Sequence, residues 1–445
     1  MILPTFSAEA SASLGGPGWL RQRRAAGFEA FSSTPLPSES EEVWRYSPID
    51  ELSLGDFAPD VNGSAGGSPG ATTAGKELLE SVRAALGNVA ASVLVHAGRP
   101  VAGTWTGTGA NGNGGGATFS FGPADEVDAS ADLLGSVQHG GDALVRLNDA
   151  FMPDAVFVDV PAGLSVDGPI LVVHWCDPGA AAFPRLCVRA GAGAAVSLVE
   201  VFAGPEGSDR SLVVPVTELS ADAHASVSYL SLQVLPETAW SIARLSACGA
   251  GDSLLRTFTV GLGAAYDRVR TDVTVDGRDA RSEILSTYLG DGTQVHDIRT
   301  LQDHAAPKTD SELLCQGAVA GRSRSVYSGL IRVHRGAVRS DARQTNNNLV
   351  LNEGAHADSV PNLDILENDV KCSHASTVGP VDEDQMYYIE SRGVAPEVAE
   401  GLIVRGFFDA IIDRGSVPEA TPLLQREVHA RLDAALGGRR VTAGV

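Results

Sequence analysis

The word KCSHAST, residues 371–377, sets a cysteine and a histidine one residue apart. In an extended strand, residues i and i+2 share a face, so the Cys372 thiolate and the His374 imidazole can converge on one metal ion. Two ligands do not close a tetrahedral site, and the others would have to come from elsewhere in the chain or from another chain. Taken alone, the local sequence favours a plainer alternative, a buried cysteine and a hydrogen-bonded histidine at the end of a core. A second set of chemical residues lies upstream. His296, His304, His334 and His356 share a region with Asp297, Asp303, Asp310 and Asp364, residue types that do general acid–base work in hydrolases and polysaccharide lyases. Their spacing fixes no mutual geometry, and exposed turn residues are the favoured reading. The aromatic and arginine words WRYSPID (44–50) and YYIESRGV (387–394) suit either packing or a protein interface. HExxH and Walker A patterns do not occur.

The elements that must position these residues are mostly strands. From about residue 151 to 375, runs such as AVFVDV, PILVVHW, AVSLVEVFA, SEILSTYL and SVYSGLIRVH follow one another with no long helix between them. Small-residue words separate them: AGAGA, ADAHA, CGAGD, DGRDA, RGAVR and EGAHA. The earlier ones recur at about 27–30 residues and the later ones at about 18–20, a quasi-period of the kind stacked β-coils produce. A tight corner favours Gly, Asn or Ala, because a larger side chain would meet the neighbouring coil. The pattern therefore favours a parallel β-helix over a β-sandwich.

Helical and mixed segments flank this body. The N-terminal region, 1–150, opens with PGWLRQRRAAGFEAF behind Pro17 and carries two Gly-rich runs, 61–75 and 107–116, that read as a linker and a loop. A helix over KELLESVRAALG and a strand over ASVLVHAG lie between them. The β-body spans 151–378. Residues 379–445 form three amphipathic helices, with Pro396 and Pro422 opening the second and third. In the second helix Ile403, Phe407 and Ile411 make one stripe, with Val398 and Ala410 alongside. Such a bundle is too small to bury its apolar faces alone, so it leans on the β-body or offers a groove to a partner.

Composition narrows the function further. The 445 residues carry 33 basic and 55 acidic side chains, a net charge of −22. Phosphate backbones and anionic lipid surfaces repel such a chain, so neither nucleic acid nor a membrane is expected as a partner. The five cysteines are widely spaced and contain no CxxC pair, which fits a reducing compartment rather than a disulfide framework. The N-terminus lacks the charge order of a secretory signal, and no run reaches the roughly 18 apolar residues of a membrane helix. The expectation is a soluble, cytoplasmic protein.

Several long words, read together, resemble the SufB/SufD family of iron–sulfur cluster assembly proteins, and its SufD branch in particular. PGWLRQRRAAGFEAF, TPLP and EEVWRYSPID resemble the N-terminal signature of that branch. SELLCQGAVAGRSRSVYSGLIRV and PNLDILENDVKCSHASTVGPVDEDQMYYIESRGVAPEVAEGLIVRGFF resemble the family's most distinctive region. The resemblance implies a mainly β protein: a right-handed parallel β-helix core, an N-terminal helical region and a C-terminal helical domain. It also implies a non-enzymatic subunit that pairs with a SufB-like subunit and docks a SufC-like ATPase on its C-terminal helices. Tyr387, Arg392, Ile403, Phe407 and Ile411 are the docking candidates. His374 and Cys372 take the positions implicated in cluster formation, so a transient Fe–S cluster or iron is expected at the SufB interface. No cofactor is expected to be held tightly by this chain alone, and a homodimer is left open when SufB is absent. The SufB branch carries a cluster-building cysteine in a word like TQCDSLLIG, where this chain reads QTNNNLVL with Asn346 or its neighbour. An amide replaces a thiolate neither as ligand nor as sulfur acceptor, which sets aside a SufB-like scaffold. A β-helix carbohydrate-active enzyme using the Asp/His set is the other alternative.

Overall fold

The short β-runs build two facing walls of a parallel solenoid. The computed structural model describes residues 5–60, 69–103, 106–111, 116–138 and 140–437. One wall stacks Val156–Val160, Arg185–Ala190, Val216–Ala221, Ala239–Gly249, Tyr266–Val275, Val295–His304, Arg324–Val333 and His356–Ile365, each parallel to the next. The other stacks Ala91–His96, Ile170–Trp175, Ala195–Ala203, Ser226–Gln233, Leu254–Gly261, Arg281–Gly290, Asp310–Val319, Asp341–Val350 and Lys371–Gly379. Its first rung, Ala91–His96, comes from the N-terminal region. No helix among the described residues is long and apolar enough to cross a membrane.

The coil length explains the spacing of the small-residue words. Tyr266 pairs with Val295, and Val295 with Arg324, so a coil there takes about 29 residues. RGAVR and EGAHA lie on opposite corners, and their 18-residue spacing is therefore a half-coil, not a shorter repeat. At one corner a left-handed residue recurs in successive coils: Gly193, His224, Asp252, Asp279, Lys308 and Arg339. Each donates its N–H to the corner of the next coil, as in His224 to the Gly251 carbonyl and Asp252 to the Arg278 carbonyl. Positive φ costs an L-residue about 1–2 kcal/mol, yet beyond Gly163 and Gly193 the position holds other residues, because these inter-coil bonds hold it and its side chain points outward. The steric demand for glycine falls beside it: a Cβ on Gly277 would lie 1.9 Å from the Gly251 nitrogen.

Two Gly-rich segments depart from expectation. The helix expected to start at Lys76 runs from Pro69 to Leu86, so the linker read at 61–75 is partly helical and its residues 61–68 lie outside the described residues. The run 107–116, read as a loop, contributes to the antiparallel strands Thr106–Asn111 and Gly116–Gly122; residues 112–115 lie outside the described residues.

The three C-terminal helices, Glu383–Glu390, Pro396–Ile412 and Thr421–Gly437, follow the last coil. The Asp382 side chain caps the first, and Pro396 opens the second. The second and third fold back on the outer face of the second wall, where Val404, Phe408, Ile412 and Leu432 join a core with Leu232, Phe258, Val260 and Leu285. The Ser416 hydroxyl donates to the Tyr229 carbonyl, and the Gln316 amide to the Phe407 carbonyl. The buried stripe is Ala399, Val404, Phe408, Ile411 and Ile412, one position round from the expected one. The sequence holds apolar neighbours at 403/404, 407/408 and 411/412, so two adjacent stripes exist and the β-wall selects between them.

Inside the solenoid, the early coils carry an apolar core of Val158, Val188, Leu198, Leu219 and Leu245 beside one buried polar group, His174 with Glu200. Later coils become polar. Tyr288 reaches past Gly317 to donate a hydrogen bond to the Asn348 side-chain oxygen two coils on. A Cβ on Gly317 would meet the Tyr288 ring at 2.2 Å. Gly317→Ala is therefore expected to destabilise the chain by about 1–3 kcal/mol, read as a lower denaturation midpoint; an unchanged midpoint would show that the ring has room to move.

Candidate functional site

KCSHAST forms most of the last rung, Lys371–Gly379. That strand lies in parallel register on Asp341–Val350, with Ala342 opposite Cys372, Gln344 opposite His374 and Asn346 opposite Ser376. Ala342, Gln344 and Asn346 are buried in the solenoid interior, so Cys372, His374 and Ser376 continue an inward-facing column. No further coil covers them among the described residues. His374 is consequently exposed, while Cys372 is half-buried against a small cluster that includes Ile331, Val333 and Ala342. Partial burial, helped by the Asp341 carboxylate, pushes the Cys372 thiol up from its ordinary value. It therefore stays protonated in the isolated chain, and a neutral thiol is a poor metal ligand. His374 is the better placed of the two.

The same bare coil exposes apolar side chains. Val360, Leu363, Ile365, Leu366 and Val378 are all open to solvent, Leu366 at 50 %. The outer edges of His356–Ile365 and Lys371–Gly379 also lack a strand partner among the described residues. An uncovered pair of edges over an apolar mouth is a surface that proteins usually protect or pair. Sequence reasoning missed this feature: PNLDIL reads as an ordinary core strand, and only its place at the end of the stack leaves it bare.

A second exposed surface adjoins the first. Tyr387 is 74 % exposed and Tyr388 59 %, on a helix with no buried residue; Val398 and Leu402 extend the surface onto the next helix. Arg392 donates to the Tyr388 hydroxyl at 2.6 Å and lies over its ring. Of the docking candidates, Tyr387 and Arg392 face solvent, and Ile403 and Phe407 are half-buried. Ile411 is corrected: it is fully buried in the core shared with the second wall and is not available to a partner. Val398 and Leu402 are the additional exposed apolar positions.

The Asp/His set does not gather into one acid–base site. His296 is buried in the interior, with Asp267 3.4 Å away. Asp297 lies on the outer face between Arg268 and Arg299 and accepts from the Tyr266 hydroxyl. His334 pairs with Asp303 at 2.8 Å, His356 with Asp358 at 3.1 Å and Asp364 with Arg332. Among the described residues, no group of three or more His, Cys, Asp or Glu side chains is placed to hold a metal ion. WRYSPID serves as an anchor: Trp44 is buried with the Arg268 guanidinium 3.7 Å from its ring centre, and the Val43 and Arg45 carbonyls accept from Arg268 and Arg299. At the expected position of a cluster-building cysteine, Asn346 is fully buried and donates to the Ser359 hydroxyl.

His304 is fully buried, with one ring nitrogen against the Thr309 hydroxyl and the other against that of Ser311, both at 2.7 Å. Burial, partly opposed by the Asp341 carboxylate, lowers it from 6.5 to about 4. The unfolded chain takes up this proton first as pH falls. The stability contributed by neutral His304 is thus complete above about pH 6.5 and lost between there and pH 4, a change on the order of 3 kcal/mol. His304→Gln preserves a donor and an acceptor and is expected to flatten the pH dependence of the denaturation midpoint in that window; an unchanged slope would assign the acid sensitivity to other groups.

Comparison with known proteins agrees with this architecture. The family described as SUF system FeS cluster assembly, SufBD core domain, matches residues 174–407. A SufBD family iron–sulfur cluster assembly protein of Mycobacterium leprae is 39% identical over 176 residues, which cover 38% of this chain and 45% of that protein. This chain therefore matches less than half of that relative's length. A SufBD family protein of Mycobacterium tuberculosis is 32% identical over 282 residues, 61% of this chain and 68% of the relative. The iron–sulfur cluster assembly protein SufD of Escherichia coli is 26% identical over 417 residues, 91% of this chain and 90% of its own.

Proposed function

Because this chain belongs to the SufBD family of SUF-system iron–sulfur cluster assembly proteins, we propose that it acts as a SufD-like, non-catalytic subunit completed by a SufB-like partner at its last coil. The bare coil carries the proposal. Its two unpaired strand edges, exposed apolar residues and exposed His374 fit a second β-solenoid stacked end to end. Covering that end would bury apolar surface worth roughly 25 cal/mol per Å² and give the edge strands hydrogen-bond partners. It would also bring His374 against side chains of the other subunit, supplying ligands that this chain lacks. The cargo is a transient Fe–S cluster or iron held between the subunits. Imidazole is a suitable ligand for iron. Cys372 has a secondary role, since it must first lose its proton.

Asn346 supports the SufD-like assignment over a SufB-like scaffold. A buried amide occupies the place where a cluster-building thiol would fall. The nearest cysteine in that column is Cys315, opposite Asn346 one coil below, fully buried and pushed up to about 12 by that burial. It is a poor sulfur acceptor.

A SufC-like ATPase is assigned to the face made by Tyr387, Arg392, Val398 and Leu402, adjacent to the bare coil. Half-buried Ile403 and Phe407 would support that face from beneath. A rigid coupling runs from this surface to the β-body through the Gln316–Phe407 hydrogen bond and the ion pairs of Arg414 with Glu283 and Glu312. ATP-driven movement of the docked subunit would thus reach Asp310–Val319, two rungs below the strand that holds His374.

Two experiments separate these roles. With the partners co-purified anaerobically, His374→Ala is expected to lower bound iron and acid-labile sulfide several-fold without dissociating the subunits; an unchanged cluster yield would remove His374 from the site. Tyr387→Ala combined with Leu402→Glu is expected to weaken SufC-like ATPase binding by about 30-fold or more, the range of an interface hot spot. Unchanged affinity would place the docking surface elsewhere. Ile411→Ala is unsuitable for this purpose, since it opens a core cavity and costs about 2–5 kcal/mol of stability.

A further inference from the structure

The interior of the later coils contains polar atoms that the protein does not satisfy. Asp267 Oδ1, both ring nitrogens of His296, Ser325 Oγ, both amide atoms of Gln344, Asn346 Oδ1 and Asn348 Nδ2 are buried without a hydrogen-bond partner among the described residues. Native proteins leave few such atoms unpaired, because each costs about 1–3 kcal/mol. These atoms are not scattered. Register places Asp267, His296 and Ser325 in one column. Gln344, Asn346 and Asn348 lie at alternate positions on the facing wall, all at or below 3 % exposure.

Space accompanies this polarity. A cavity of about 20 Å³ lies in the interior, lined by Ser231, Gln233, Thr259 and Asp267 among others; a water needs roughly 10–15 Å³ and two to four polar partners. Glycines admit the polar side chains: a Cβ on Gly261 would lie 2.3 Å from Asp267 Oδ2 and one on Gly290 3.1 Å from the His296 ring, so the carboxylate and the imidazole take the space that a side chain would fill. The polar column also reaches the surface. Buried Asn346 donates to Ser359 at 2.8 Å, and exposed Ser376, two residues from His374, donates to the same hydroxyl at 2.6 Å.

We propose that separate ordered waters satisfy these interior atoms, in the cavity beside Asp267 and beside His296, Gln344 and Asn346 below the bare coil. The bound ligand is water, and the site is the solenoid interior itself. Gln344, directly opposite His374, is its outermost buried contact. This hydration, rather than direct side-chain pairing, satisfies the interior of the coils that carry the candidate site. The inference uses only the interior geometry and stands apart from the assignment of partners.

High-resolution crystallography of the wild-type chain, together with the melting temperature of Gln344→Leu, tests it. A hydrated interior predicts density peaks within hydrogen-bond distance of Asp267 Oδ1, His296 and the Gln344 amide. It also predicts a lower melting temperature for Gln344→Leu, because the substitution takes a partner from bound water. A dry interior predicts no such peaks and a raised melting temperature, since leucine would relieve two unpaired atoms, and that result would overturn the proposal. Should the variant fail to fold, the wild-type density decides alone.

Discussion

In a parallel solenoid each coil is covered by the next, and every feature of this protein follows from where that covering stops. Backbone pairing runs without interruption from Ala91–His96 to Lys371–Gly379 along one wall. Within the stack, inward side chains are sealed above and below. At the last coil the pattern continues in sequence, but nothing lies above it among the described residues. His374 is exposed for this reason, and so are Leu363, Ile365 and Val378. The candidate site is thus a core position turned into a surface by termination of the fold.

The remaining surfaces are closed in two different ways. The outer face of the second wall is covered by the helices Pro396–Ile412 and Thr421–Gly437, which explains why residues after the last coil turn back along the body. The outer face of the first wall is covered in part by the N-terminal region, with Trp44 under Arg268 and Asp297 held between two arginines. Removing one member of such a buried charge group leaves another uncompensated, so this anchor is rigid. With the second wall covered and the first covered in part, the bare coil and the exposed helix beside it are left for other chains.

Much of this was legible in the sequence, and the gaps have physical causes. Short valine- and leucine-rich runs with recurring corners identify a parallel β-helix, because few other folds require both. The order of helical, β and helical textures was also readable. The length of the coil was not, since RGAVR and EGAHA look alike but sit on opposite corners. Helix orientation was ambiguous because Ile403, Phe407 and Ile411 run beside a second apolar stripe, and only the β-wall decides between them. CSHA could be found as a word and placed near the end of the β-body. Its exposure depends on a missing neighbour, which no local pattern encodes, and the protonated state favoured for Cys372 depends on burial in three dimensions.

The central claim is that the last coil is an unfinished end completed by another subunit, and amide hydrogen exchange tests it most directly. In the isolated chain, the outward-facing amides of His356–Ile365 and Lys371–Gly379 should exchange rapidly while those of the inner coils remain protected. On binding a SufB-like subunit, these two strands should gain the largest protection in the molecule. Strong protection elsewhere, with both strands still exchanging as in the isolated chain, would contradict the account.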